Sequence, residues 1–324
     1  MTNFKWGLIG TGGIARSFAR DLSRAPGHEV VAVGSRSIEK ARQFTEQWGG
    51  KPFGSYEELV TADVDAIYVA TPHPMHAPNT ILALENGKPV LCEKPFAVNS
   101  RESSAMIETA RRHNLLLVEA MWSRFLPHYR KLRELVRNGD LGEIISIAAD
   151  HGQNLPLPKY YRLHAPELAG GALLDLGIYP ISFAYFLLGK PQSVVAKAEF
   201  TPTGVDSQTS MIFRYENGAH ANLTTTLLAK SPCTATVVGT KGTIFIDGDF
   251  YTPTSMRLRK IDGGIAEFPK DYEGHGLREQ AIEFAELFRA GKKESDLITH
   301  ADTQSIMETM DGIRAQIDLY YPFE

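Results

Sequence analysis

The chain has 324 residues, of which 43% are hydrophobic and 22% charged, with a net charge of −4 and two cysteines. It is long enough for two domains, its charge favours neither nucleic acid nor an anionic membrane, and Cys92 and Cys233 form neither a metal-binding spacing nor a disulfide framework, which points to a reducing, cytoplasmic setting. The N-terminus reads as a strand rather than a signal peptide, and no apolar run reaches the roughly 18 residues of a membrane span.

The run 4–9 is apolar and predicts a buried strand that stops at Gly10, followed by a helix over about 14–24. A second buried strand is expected at 29–34, then a helix at 38–48 capped by Ser37, and a short helix opened by the capping box Ser55–Glu58. Further strands are expected at 66–70, 89–92 and 115–118, with helices at 74–86 and at 99–113, the second opened by Asn99…Glu102, between them. Strands alternating with helices imply right-handed crossovers and a parallel sheet. That regime covers 1–121, which reads as an α/β Rossmann domain. Beyond it the pattern changes. One amphipathic helix at 127–138 and a strand at 144–149 precede a loop at 152–170, and an apolar helix is expected at 172–188. Seven strand candidates follow between 193 and 268, with the hairpin signals Asn217-Gly218 and Asp262-Gly263-Gly264, and helices at 276–290 and 301–319 finish the chain. The expected second domain, 122–324, is therefore α+β with a large, mostly antiparallel sheet. Where its last helix packs is left open. Helices on one side of that sheet would leave a face carrying Val237, Ile244 and Ile246 for a partner, so a homodimer is expected.

The turn after the first strand carries the strongest chemical signal. Gly10, Gly12 and Ala15 match the G-x-G-x-x-G/A spacing of a dinucleotide-binding turn. The first glycine permits the tight turn, the second admits a pyrophosphate, and Ala15 lets the helix pack closely on the strand. Gly10, Thr11, Gly12, Gly13 and Ile14 are thus cofactor-binding candidates, with the helix N-terminus offering N–H groups to an anion. NAD sites place an acid about 20 residues further on. Here the second strand ends Gly34-Ser35-Arg36-Ser37, with no carboxylate. Arg36 can face a 2′-phosphate and stack on adenine, Ser35 and Ser37 can donate hydrogen bonds, and Lys40 lies one helical turn beyond Arg36. NADP is expected over NAD.

The second signal is Glu93-Lys94-Pro95, at the carboxyl end of a parallel strand, where ligands of open α/β sheets bind. Lys94 can hydrogen-bond a substrate hydroxyl and stabilise developing charge. Taken with Gly10–Ala15, this stretch resembles the glucose–fructose oxidoreductase/inositol dehydrogenase/MocA (Gfo/Idh/MocA) family over nearly the whole chain. Three further stretches narrow the resemblance: Thr71-Pro72-His73-Pro74-Met75-His76, Glu119-Ala120-Met121-Trp122-Ser123-Arg124, and Gly170-Gly171-Ala172-Leu173-Leu174-Asp175-Leu176-Gly177-Ile178-Tyr179. Together they look like the branch of dimeric dihydrodiol dehydrogenases and NADP-dependent D-xylose dehydrogenases. Many family members carry His where this chain has Tyr179.

The resemblance implies an N-terminal α/β Rossmann domain, a C-terminal α+β domain with a large, mostly antiparallel open-faced sheet, and a nicotinamide ring in the cleft between them. It implies Lys94 as the residue that orients the carbinol, Tyr179 as proton donor or acceptor, and Asp175 as their support. It also implies that Thr71, Pro72, His73, His76, Glu93, Trp122 and Arg124 line the cofactor cleft, with Arg162 a further cofactor candidate. No carboxylate or cysteine stands near His73 and His76 in sequence, so no metal is expected. Asp175 and Tyr179 are four apart, on one helix face. Gly177 and Pro180 break helix rules between and after them, which suggests close ligand approach at Gly177 and a bend that aims Tyr179. The expected function is hydride transfer between NADP and a hydroxyl or carbonyl of a sugar or vicinal diol. The alternative is a non-catalytic NADP-sensing regulator, which has no need of Lys94 and Tyr179.

Overall fold

The computed structural model describes residues 3–324. By its contacts the chain divides into two compact units, residues 1–125 with 274–304, and residues 126–273 with 305–324.

The first unit is built on six parallel strands in the order β3-β2-β1-β4-β5-β6. They are β1 (Phe4–Ile9), β2 (His28–Gly34), β3 (Lys51–Phe53), β4 (Ala66–Val69), β5 (Val90–Glu93) and β6 (Leu117–Ala120). Between them run α1 (Gly13–Leu22), α2 (Ile38–Trp48), α3 (Tyr56–Leu59), α4 (His76–Glu85) and α5 (Ser100–Arg112). Side chains alternate across the central strand β1. Trp6 packs against Phe18 of α1 and Phe284 of α8 (Arg278–Arg289). Ile9, pointing the other way, joins a core with Leu84 of α4 and Met106 of α5. The expected caps form. Ser37 accepts the Lys40 N–H, Ser55 accepts the Glu58 N–H, and Asn99 accepts the Glu102 N–H while Glu102 takes that of Val98. The parallel sheet borne out here required only local patterns; the short β3, which opens with Lys51-Pro52, had no apolar run to reveal it.

The second unit carries eight strands in the order β14-β13-β12-β11-β7-β10-β9-β8. These are β7 (Ile144–Gly152), β8 (Ser193–Phe200), β9 (Asp206–Arg214), β10 (His220–Thr226), β11 (Ala235–Gly239), β12 (Gly242–Ile246), β13 (Met256–Lys260) and β14 (Ile265–Phe268). All pairs are antiparallel except β7 with β10. α6 (Pro127–Arg137) and α7 (Ile178–Leu188) belong to this unit, and α9 (His300–Gln316) contributes its part from Ser305 onward. The expectation that Val237, Ile244 and Ile246 face a partner is corrected. All three are buried. The apolar face of a sheet is the face its helices cover, and these residues lie on it. The other face shows Val195, Ile212 and Ile145 among Ser, Thr and Lys side chains.

The helical stretch Pro166–Leu188 is long and apolar enough to cross a membrane by length and composition, although Asp175 interrupts its apolar run. Most of it, 78% of its apolar window, is buried inside the protein. Its first part is not α-helical. Leu173–Gly177 is a π-turn, and α7 begins at Ile178.

Candidate active site

In the first unit, β1 ends at Gly10, whose φ of +106° is open to glycine but strained for other residues. A Cβ here would stand 2.7 Å from the Ala70 carbonyl, so β1 and β4 close together only over glycine. Gly12 caps α1 with no side chain, and a Cβ on Gly12 or Gly13 would meet no protein atom within 4 Å. The space kept free there opens into a cleft of about 600 Å³. Gly10, Thr11 and Gly12 form one wall, and Ser35, Arg36, Ser37 and Lys40 form the end beyond β2, with Thr71 and Pro72 on the β4 side. Arg16, Gln43 and Tyr56 also line it. Tyr56 lies beside Arg36 in this cleft; burial raises the phenol's pKa and the nearby guanidinium partly offsets this. Arg16 lies over the Phe44 ring, 5.5 Å from its centroid. An N-terminal helix dipole at one end and three cations, Arg16, Arg36 and Lys40, toward the other fit a dinucleotide with an extra phosphate. None of the lining residues is acidic. Ile14, half-buried on α1, is not among them.

Arg16, Gln43 and Tyr56 were not foreseen. Each is one residue on a helix, with no motif around it; the only signal was that Arg16 and Gln43 follow the two phosphate-facing turns by one or two helical turns.

Further along the same sheet edge, two turns are tied together by His76. This buried imidazole has its ring nitrogens 2.8 Å from the carbonyls of Thr71 and Pro95. His73, also buried, packs edge-on to it at 5.8 Å. The Lys94–Pro95 peptide is cis. Glu93 is buried beneath Lys94. Its carboxylate accepts the Tyr68 hydroxyl and, at 3.2 Å, the Lys94 N–H. Glu93 thus holds the backbone of the lysine, whose side chain is half-buried. Trp122 is buried and stacks on His275, 4.9 Å between centroids. Arg124 is buried as well, donating to the Leu297 carbonyl at 3.2 Å and lying 3.8 Å from Asp302. Among the described residues no group of three or more His, Cys, Asp or Glu side chains is arranged to hold a metal ion.

In the second unit the π-turn brings Asp175 to Arg162, whose guanidinium donates to its carboxylate at 3.0 Å. Tyr179 is buried in a cluster of rings. His151 of β7 meets it edge-on at 5.1 Å, and Tyr251 lies 4.8 Å away, stacked in turn on His151 at 4.0 Å. Gln153 donates to the Tyr251 oxygen at 2.8 Å. Burial raises the Tyr251 phenol well above its ordinary value, helped by Asp249. This aromatic wall was missed, because His151 and Tyr251 are 100 residues apart and neither sits in a recognisable pattern. Gly177 has a different reason from the one expected. A Cβ there would press on Thr225 of β10 at 3.2 Å and Leu173 at 3.3 Å, so it admits a strand, not a ligand.

Comparison with known proteins follows this division. Residues 4–121 match the model of the oxidoreductase family with an NAD-binding Rossmann fold, and 129–245 match the GFO/IDH/MocA C-terminal domain. A trans-1,2-dihydrobenzene-1,2-diol dehydrogenase of Xenopus tropicalis is 37% identical over 98% of this chain and 99% of its own. The chain belongs to the Gfo/Idh/MocA oxidoreductase family. An NADP(+) D-xylose 1-dehydrogenase of Hypocrea jecorina is also 37% identical, over 98% of this chain and 93% of its own. Among solved structures, the 3-ketoreductase KijD10 of Actinomadura kijaniata, in complex with NADP and TDP-benzene, superposes with a TM-score of 0.86 at 28% identity, covering 98% of both chains. An aldose-aldose oxidoreductase of Caulobacter crescentus complexed with glycerol gives 0.88 at 25%, again over 98% of both.

Proposed function

We propose that this family member is an NADP-dependent dehydrogenase or reductase that transfers hydride between nicotinamide and a hydroxyl or carbonyl of a sugar or vicinal diol. The observation that carries the cofactor is the cleft whose far end offers Ser35, Arg36 and Lys40 and no carboxylate. Relatives that act on a dihydrodiol and on xylose, each matching 98% of the chain, support the substrate class.

NADP, when bound, supplies the hydride donor and acceptor. The chain's own residues do the rest. The Gly10–Gly13 turn and the N-terminus of α1 hold the pyrophosphate, and Arg36 with Ser35, Ser37 and Lys40 holds the 2′-phosphate. Thr71, Pro72, His73 and His76 shape the adjoining wall, and Trp122 and Arg124 the region beyond it. Tyr179 exchanges the proton of the substrate hydroxyl through its Oη, and the Lys94 ammonium hydrogen-bonds the same oxygen and stabilises its developing charge. Glu93 acts through Lys94 by gripping its N–H. Arg162 acts through Asp175, whose orientation it sets. The rings of His151 and Tyr251 pack against Tyr179 and hold its ring in place. The same reading makes the protein a cytoplasmic homodimer without a membrane or nucleic-acid partner; its two buried, unpaired thiols suit a reducing compartment.

The test is a panel of aldoses and vicinal diols with NADP⁺ and NAD⁺, followed by nicotinamide absorbance, on the wild type and Tyr179→Phe. The expected result is turnover with NADP⁺ and a loss of kcat of about 10²-fold or more in the variant, with cofactor affinity retained. Tight NADP binding without turnover of any substrate would favour the regulator. Wild-type kcat in Tyr179→Phe would move the proton to another group.

A further inference from the structure

The helix that carries Asp175 and Tyr179 lacks a local cap. Ala172, at the N-terminal edge of the π-turn, offers no side-chain acceptor. The cap comes instead from a strand 33 residues away. Asp206, the first residue of β9, is fully buried. Its Oδ2 accepts the Leu173 N–H and the Thr209 hydroxyl, both at 2.8 Å. The other oxygen lies against Gly171, which has a φ of +114°, and a Cβ at Gly171 would overlap it. Burial pushes the Asp206 carboxyl up to about 6, while the Thr209 and backbone N–H contacts oppose the rise. One residue earlier, the Tyr321 hydroxyl donates to the Gly170 carbonyl at 2.7 Å.

A buried carboxylate costs several kcal/mol unless its bonds repay it, and a helix N-terminus is ordinarily capped by its own N-cap residue. Here the costly group sits where the chain passes from the Gly170-Gly171 bend into a π-turn, a distortion that frequently marks functional sites. Asp175 follows Leu173 by two residues and Tyr179 by six. Any slip of the turn at Leu173 would therefore rotate both side chains.

We propose that Asp206 is a positioning residue for the reaction: by capping Leu173 from β9 it sets the register of the π-turn and so the aim of Asp175 and Tyr179. The inference rests on the reading of Tyr179 as the acid–base residue. Two variants probe it. Asp206→Asn keeps the volume and one acceptor but removes the charge, and Thr209→Val removes one donor without touching Asp206. In Asp206→Asn, amide hydrogen exchange over 171–178 accelerates. Its kcat falls by roughly 10- to 100-fold, the scale of a misplaced reacting group, and cofactor affinity holds to within about twofold. Thr209→Val moves the same way by less. In a Tyr179→Phe background the Asp206→Asn loss shrinks to about twofold, because no hydroxyl remains to be aimed.

An unchanged kcat beside accelerated exchange would make the cap purely structural and overturn the proposal, as would a full, additive loss in the Tyr179→Phe background. Thr209→Val takes the same place in the cycle if Asp206→Asn does not fold. Wild-type kcat in Tyr179→Phe alone is a separate result, which sinks the acid–base reading and with it the target of Asp206.

Discussion

Replacing Arg36 by alanine is the sharpest test of the cofactor. Arg36 is exposed at the end of β2, beside Tyr56 and in one cleft with Ser35 and Lys40. A guanidinium on a phosphate makes charge-assisted hydrogen bonds, and hydrogen bonds to charged groups contribute about 1.5–3 kcal/mol. Exposure lowers that figure by screening. Lys40 and Arg16 remain in the variant. A loss of about 1.5–2.5 kcal/mol follows, or about 10- to 70-fold in Kd for NADPH. NADH has no 2′-phosphate and loses only the contact of Arg36 with adenine, worth about threefold or less at an exposed site. Titration of nicotinamide fluorescence with NADPH and NADH on both proteins measures the two ratios. Repeating it at rising salt should shrink the NADPH effect and leave that for NADH unchanged. Equal losses for the two cofactors, or none for NADPH, would refute the assignment.

Lys94→Met keeps the length and removes the charge; kcat should fall by about 10²-fold or more with NADPH affinity nearly intact, and unchanged turnover would return Lys94 to an ordinary loop residue. Gly10→Ala forces a non-glycine residue to φ +106° and a Cβ onto the Ala70 carbonyl; the strain alone costs about 1–3 kcal/mol, so the melting temperature should drop and NADPH binding should weaken, and a wild-type melting curve would contradict the close approach of β1 and β4. His128, buried on α6 with Nε2 donating to the Phe250 carbonyl at 3.0 Å, is held down to about 4 by desolvation against an ordinary 6.5. The unfolded chain binds that proton first as the pH falls, so the stability contribution is complete above pH 6.5 and is lost on going down through 4; at 1.36 kcal/mol per pH unit it is worth about 3 kcal/mol. Denaturant unfolding of wild type and His128→Gln across that range should show the acid-side slope reduced in the variant, and parallel curves would rule the histidine out.

How much of this was legible depends on the distance over which each feature is decided. The Gly10-x-Gly12 turn, the caps at Ser37, Ser55 and Asn99, and the missing acid after Gly34 are settled within a few residues, and each appears where expected. The alternation of β9, buried and exposed in turn from Ser207 onward, was readable for the same reason. Lateral order was not. β7 lies between β10 and β11, parallel to one and antiparallel to the other, a choice made by residues far apart in sequence. Val237 and Ile244 show the same limit from another side. Period-two alternation separates two faces, but which face is inside depends on where the helices go, and helices go to the apolar one. Tyr56, His151, Tyr251 and Asp206 converge on their sites through tertiary packing, each alone in its own segment.

The stretch 173–180 joins these two kinds of information. Its irregularity was visible as Gly177 and Pro180 within an apolar helix, but its form was not. In an uninterrupted α-helix the Pro180 ring would collide with the carbonyl of Leu176. The chain widens one turn earlier, over Leu173–Gly177, and enters α7 with Pro180 as its third residue. Gly177 lets Thr225 of β10 press against that wide turn, and Asp206 of β9 caps its start. Two adjacent strands of one sheet thus hold a distorted turn from below. Four residues on a regular helix would have stacked Asp175 and Tyr179 on one face; on the widened turn Asp175 meets Arg162 while Tyr179 meets the rings of His151 and Tyr251. The broken helix rules are therefore the means by which a carboxylate and a phenol, neighbours in sequence, are given different surroundings.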